Sequence, residues 1–204
     1  MPSLSRRRKL KSPEDEKQND SWWSFHFATR LKLDGADYFC RQVLGAASMP
    51  DYLGLPLLAH RQLTWHLDAF FFELMSACDT LLQELNIVYA YDLGLKPREV
   101  RWEKIQPKLP KELVKYMEEE WEKARLEKIR KYRNMATHHY RVPTGSGQAG
   151  WGDKPLDYST HNVYIYYLDD TGDLQQENIS VCTEYLKNMV RYISGVWKEM
   201  AQKF

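Results

Sequence analysis

Leu63-Thr64-Trp65-His66-Leu67-Asp68-Ala69-Phe70-Phe71-Phe72-Glu73-Leu74-Met75-Ser76-Ala77-Cys78-Asp79-Thr80-Leu81-Leu82-Gln83-Glu84-Leu85 decides the fold. Leu63, Leu67, Phe70, Phe71, Leu74, Ala77, Cys78, Leu81, Leu82 and Leu85 recur at the three-and-four spacing of a helix. The stripe they draw is wide, as the central helix of a bundle requires. The pattern predicts one helix from Pro56, which suits a first turn, to about Ile87. Glu73 and Asp79 stand amid this apolar run. Each therefore lies at the edge of the stripe or meets a cation from another helix.

Upstream, Phe27, Leu31, Leu33, Ala36, Phe39, Cys40, Val43 and Leu44 predict a helix over roughly Phe27–Ala47, although Gly35 is a poor interior helix residue. Residues 1–20, with Arg6-Arg7-Arg8-Lys9 followed by Glu14-Asp15-Glu16-Lys17, read as a disordered tail too polar to bury itself. Downstream, Tyr91–Pro110 is a proline-punctuated connector with room for one short helix, and Lys111–Tyr132 reads as one long charged helix. Pro143–Tyr158 is glycine-rich and reads as a mobile loop. His161–Leu168 and Leu174–Val181, joined by Asp169-Asp170-Thr171-Gly172-Asp173, predict a β-hairpin within residues 159–182. Tyr185, Leu186, Met189, Val190, Ile193, Val196, Trp197 and Met200 place the last helix at Glu184–Gln202, with Ser180 or Thr183 available as its cap. The expected architecture is mainly α: a four- to five-helix bundle with a small β-hairpin inserted before the C-terminal helix. Residues 21–204 are expected to form a single domain.

A net charge of +1 argues against a protein that coats nucleic acid by bulk charge, while leaving room for a local basic patch. The cysteines Cys40, Cys78 and Cys182 are odd in number and far apart, and no apolar run is long enough to span a membrane. The chain is expected to be cytoplasmic, reduced and away from membranes. No metal and no other cofactor is expected. His60 and His66 are six residues apart and so lie on different helical faces, and no Cys-x-x-Cys or His-Glu-x-x-His occurs. A Gly-x-Ser-x-Gly nucleophile motif is missing as well.

The densest site chemistry lies in Tyr132-Arg133-Asn134-Met135-Ala136-Thr137-His138-His139-Tyr140-Arg141. On a continuous helix Asn134 and His138 share a face, while Arg133 is turned by about 100° but is long enough to reach the same groove. This set fits metal-free cleavage of RNA. Arg133 would hold the phosphate, His138 would move a proton near neutral pH, and Asn134 would orient one or the other. The bland alternative is a helix end in which Arg133 pairs with Glu73 or Asp79 and His138 is bonded in a core. Spacing alone discriminates little, because Arg61-Gln62-Leu63-Thr64-Trp65-His66 is a second match; its place in an apolar helix reads as packing.

Arg133, Asn134 and His138, with Phe72-Glu73-Leu74-Met75-Ser76-Ala77-Cys78-Asp79-Thr80-Leu81 as the preceding acidic-and-apolar helix, resemble the Arg-polar-x-x-x-His signature of the HEPN superfamily. The resemblance covers roughly Leu57–Phe204 and one bacterial branch that carries a hairpin before its last helix. It implies a four- or five-helix fold and a homodimer with two signatures facing each other. It also implies a metal-independent endoribonuclease of toxin–antitoxin or phage-defence systems, with RNA or a nucleotide as ligand and an antitoxin-type protein as partner. Arg133 and His138 would then be catalytic, Asn134 supporting, and Glu73 or Asp79 would position the arginine. Other members have lost catalysis, so the alternative is a non-catalytic module that binds a nucleotide, RNA or a protein. One departure matters: relatives commonly read His-Arg after the signature where this chain has His138-His139, so His139 competes for the role of His138.

Overall fold

The computed structural model describes residues 13–47, 57–138, 142–146, 163–169 and 171–201. Six helices occur among them: α1 (Pro13–Ala47), α2 (Leu57–Tyr89), the single turn α3 (Trp102–Ile105), α4 (Lys111–Lys123), α5 (Leu126–His138) and α6 (Val181–Ala201). Three short strands, β1 (Thr144–Ser146), β2 (Val163–Leu168) and β3 (Leu174–Asn178), form one antiparallel sheet in the order β1-β2-β3. The chain is mainly α, with the expected hairpin, β2 and β3, just before the C-terminal helix.

Three local expectations need correction. First, α1 starts at Pro13, inside the stretch expected to be a tail, and the Gln18 side chain donates to the carbonyl of Ile87. A proline at the first helical position sacrifices no intrahelical bond, which makes Pro13 a natural start. Residues 1–12, with the basic run, lie outside the described residues, as does Pro56. Second, the charged segment expected as one helix is two, because Arg125 takes φ 55° between α4 and α5. A left-handed non-glycine residue costs roughly 1–2 kcal/mol. What the break allows is the complete burial of both Ala124 and Leu126. Two residues apart, they would point about 200° from one another on an unbroken helix. Third, Thr144–Ser146 of the glycine-rich stretch forms β1, pairing Thr144 with Ile165 and Ser146 with Val163.

The hairpin turn is built on one carboxylate. Asp169 accepts hydrogen bonds from the Thr171 N–H at 3.0 Å, the Thr171 hydroxyl at 2.6 Å, the Asp173 N–H at 2.9 Å and the Gln175 amide at 2.8 Å. Gly172, at φ 87°, supplies the left-handed residue the turn needs. The Thr171 hydroxyl, followed by the Asp173 N–H, holds the Asp169 carboxyl down to about 2 from its ordinary 3.8. Its contribution is therefore complete above the unfolded value and fades as pH falls through the folded one. Thermal melts of Asp169→Asn should lie below the parent at neutral pH, and the gap should close between about pH 4 and pH 2. A gap independent of pH would contradict this assignment.

The chain's internal contacts gather in two compact units, one of residues 1–33, 76–126 and 188–204, the other of residues 34–75 and 127–187. The first has an apolar core that includes Leu81, Leu85, Ile105, Leu113, Met117, Ile193 and Val196. Here α6 approaches α4 closely, since a Cβ on Gly195 would lie 1.6 Å from the Tyr116 hydroxyl oxygen. Gly195→Ala should displace the Tyr116 ring and destabilise the protein by about 1–3 kcal/mol. The same change made in a Tyr116→Ala background should cost little, and equal costs in both backgrounds would rule out this contact as the cause.

Candidate functional site

The candidate residues sit on α5 in the second unit. Helix α5 exists because Ile129 and Tyr132 repeat at helical spacing and are both fully buried, leaving Lys and Glu residues outward. Tyr132, immediately before Arg133, fixes the helix. Its ring stacks on Phe71 of α2 with centroids 4.6 Å apart and an interplanar angle of 22°. Its hydroxyl donates to Glu177 of β3 at 2.8 Å. Glu177 also accepts from Lys128 at 2.6 Å and from Tyr185 of α6 at 2.6 Å, and the Lys128 ammonium lies 3.9 Å from the centre of the Tyr167 ring.

Electrostatics agree with this geometry. Burial alone would push the Glu177 carboxyl up, but the bonds from Lys128, Tyr185 and Tyr132 outweigh it and hold the group below its ordinary range. The Tyr132 hydroxyl is pushed far up, first by burial and then by the Glu177 charge beside it. It therefore remains a donor at any physiological pH. Glu177→Ala would leave three donors short of an acceptor and should destabilise the protein by about 2–4 kcal/mol. Glu177→Gln, which keeps an acceptor oxygen, should lose less; equal losses from the two would contradict the assigned bonding.

On this fixed helix Arg133 donates through Nη1 to Asn134 Oδ1 at 3.2 Å, and its Nε is shielded from solvent. Both side chains are half-buried, and the Thr137 hydroxyl donates to the Arg133 carbonyl at 2.7 Å. Arg133 and Asn134 are thus brought together. His138 is the last residue of α5, one turn beyond Asn134; its side chain, and all of His139, lie outside the described residues. Just past the helix, Asp68 of α2 accepts from the Val142 N–H at 2.9 Å, tying the chain leaving α5 to α2.

The two acidic candidates on α2 part company. Glu73 is half-buried and belongs to the same unit as α5; its carboxyl lies 3.4 Å from where a Cβ on Gly35 would stand. Asp79 is exposed and belongs to the other unit. The second Arg–His match lies elsewhere: Arg61 is exposed, and the His66 ring packs 6.0 Å from that of Phe39. Among the described residues no group of three or more His, Cys, Asp or Glu is arranged to hold a metal, and no helix is long and apolar enough to cross a membrane.

A polar cluster in the first unit escapes the sequence reading. Glu84, fully buried, accepts from the Thr29 hydroxyl at 2.6 Å and the Trp197 indole N–H at 3.0 Å, and its Oε2 lies 3.0 Å from His26 Nδ1. Trp22 stacks on His26 with centroids 4.8 Å apart. A signal for Glu84 existed: it falls three residues after Leu81, on the buried face that the α2 stripe defines. For Glu177 there was none, because Leu174–Asn178 carries no apolar alternation from which burial is read.

Residues 27–204 match the family model described as HEPN_Cthe2314-like HEPN. No curated protein and no solved structure matches the chain.

Proposed function

The chain belongs to the HEPN_Cthe2314-like HEPN family, and from that premise we propose that it is a metal-independent endoribonuclease acting on single-stranded RNA. The observation that carries the reading is the grouping on the closing turns of α5: Arg133 bonded to Asn134, with His138 one turn further along. Arg133 engages the scissile phosphate and offsets the charge that develops on it. His138 takes the proton of the RNA 2′-hydroxyl as that oxygen attacks phosphorus, the bond from phosphorus to the 5′-oxygen breaks, and the leaving 5′-oxygen takes a proton from solvent water. The products carry a 2′,3′-cyclic phosphate and a 5′-hydroxyl. Asn134 holds the Arg133 guanidinium, and Glu73, in the same unit as Arg133, acts as the acidic partner that positions it.

The active form in this reading is a homodimer in the cytoplasm, where two copies of the signature face one RNA strand. A toxin–antitoxin or defence setting would supply a protein partner that restrains cleavage. A second reading, a non-catalytic module that grips RNA, a nucleotide or a protein, is favoured by one observation: Arg133 is half-buried and already engaged with Asn134.

The test is cleavage of a labelled RNA in EDTA by the parent and by Arg133→Ala, His138→Ala and His139→Ala. The parent should cut. Arg133→Ala and His138→Ala should each lose about 10²–10⁴-fold in rate with a melting temperature close to the parent's, while His139→Ala keeps most activity. An inert parent that still binds RNA would support the non-catalytic module. A His139→Ala variant as slow as expected of His138→Ala would move the proton-transfer role to His139.

A further inference from the structure

Two aromatic rings on α2 stand outside the core. Trp65 is 61% exposed and Phe72 is 47% exposed, whereas Leu63, Leu67, Phe70, Phe71 and Leu74 around them are buried. Seven residues apart, the two rings share one helical face. The half-buried Ala69 lies between them on that face, and the exposed Arg61 stands one turn before Trp65. Singly exposed apolar residues are ordinary; large ones grouped along one face mark an interaction surface.

The neighbours of this face say what fits it. Tyr132, the residue before Arg133, stacks on Phe71. Asp68 accepts the Val142 N–H, four residues past the end of α5. The stretch that carries Arg133, Asn134 and His138 is therefore fastened to α2 at Phe71 and at Asp68, both within the span from Trp65 to Phe72. All of these residues belong to the second unit.

Charge and length agree with one occupant. Arg61, at the Trp65 end, is in no ion pair among the described residues, and Arg133 follows the residue stacked at the Phe71 end. Both suit phosphate. Between them Trp65, Ala69 and Phe72 carry no charge, and Asp68 at their border is engaged with a backbone N–H. Along the helix axis the two rings stand about 10.5 Å apart, at about 1.5 Å per residue. Successive bases rise by about 3.4 Å, so two stacked bases closed by a ring on either side span about 10 Å. Ala69, with only a methyl group, leaves that space open.

We propose that Trp65 and Phe72 form a base-binding subsite that holds two adjacent unpaired bases of single-stranded RNA over Ala69, with Arg61 on the phosphate beyond them. This rests on the reading that RNA lies along the closing turns of α5. Stacking of this kind tolerates any sequence, because every base has a π face. It refuses a duplex, whose bases are already stacked and paired.

Fluorescence anisotropy on the full chain in EDTA tests it, with a labelled RNA strand made uncleavable by 2′-O-methyl groups. The parent should bind. Trp65→Ala and Phe72→Ala should each weaken binding by about tenfold or more, with melting temperatures close to the parent's because both rings are exposed. Trp65→Phe, which keeps a ring, should retain most of the affinity. Neither alanine variant should alter the slope of affinity against salt, whereas Arg61→Ala should reduce it by about one phosphate contact. An abasic strand of the same length should bind the parent and the doubly alanine-substituted protein alike. Equal affinity of the parent and the alanine variants for the RNA strand overturns the proposal, and so does a parent that binds no RNA. An abasic strand held as tightly by the parent as the natural one overturns it too. Equal RNA binding, together with loss of a copurifying protein on Trp65→Ala, would give the face to a protein instead. Cleavage of an ordinary RNA by the same samples separates the two readings. A parent that cuts while Trp65→Ala binds and cuts as well leaves the catalytic reading without this subsite. A parent that binds through both rings and never cuts keeps the subsite and removes the catalytic reading.

Discussion

The carboxylate of Glu177 holds the candidate site in place. It sits on a short, otherwise exposed strand and collects three donors, from Lys128 and Tyr132 on α5 and Tyr185 on α6. A β-hairpin of this size is marginal alone and persists only if fastened to something larger. Here the fastening works in both directions. The sheet gains an anchor, and α5 gains fixed contacts on two successive turns immediately before Arg133. The stack of Tyr132 on Phe71 adds a third point, on α2. In the proposed reading Arg133 meets a phosphate in one geometry, and its backbone must then be held in this way, because displacement of even an ångström is costly to catalysis.

The first unit contains a parallel solution to the same problem. Glu84 is wholly buried, and its cost of desolvation is offset by Thr29, His26 and Trp197, drawn from α1 and α6. Both carboxylates join elements distant in sequence, and neither is among the exposed acidic residues that decorate α4. Buried carboxylates of this kind hold their neighbours in one arrangement because any other leaves a charge without donors.

The long helices were legible because their signal is periodic and long. The α2 stripe from Leu63 to Leu85 and the α6 stripe from Tyr185 to Met200 each repeat over several turns, and both helices stand where the pattern puts them. The break at Arg125 was not legible, since helical spacing from Leu113 to Ile129 survives it on paper and only the joint burial of Ala124 and Leu126 requires it. β1 was hidden for a different reason: Thr144-Gly145-Ser146 has loop composition and becomes a strand through its partner, β2. Of the candidate site, the contiguous part, Arg133 and Asn134, was legible. The supports at Glu177 and Asp68 come from far along the chain, and no local pattern announces a contact 45 or 74 residues away.

The most direct test of the central claim compares two substrates in EDTA: an RNA strand and the same sequence with 2′-deoxy sugars throughout. Attack by the 2′-hydroxyl, with His138 receiving its proton, predicts that the RNA is cut to products ending in a 2′,3′-cyclic phosphate while the deoxy strand stays intact. Equal cutting of both strands, or cutting of RNA only when a divalent cation is restored, would contradict the account.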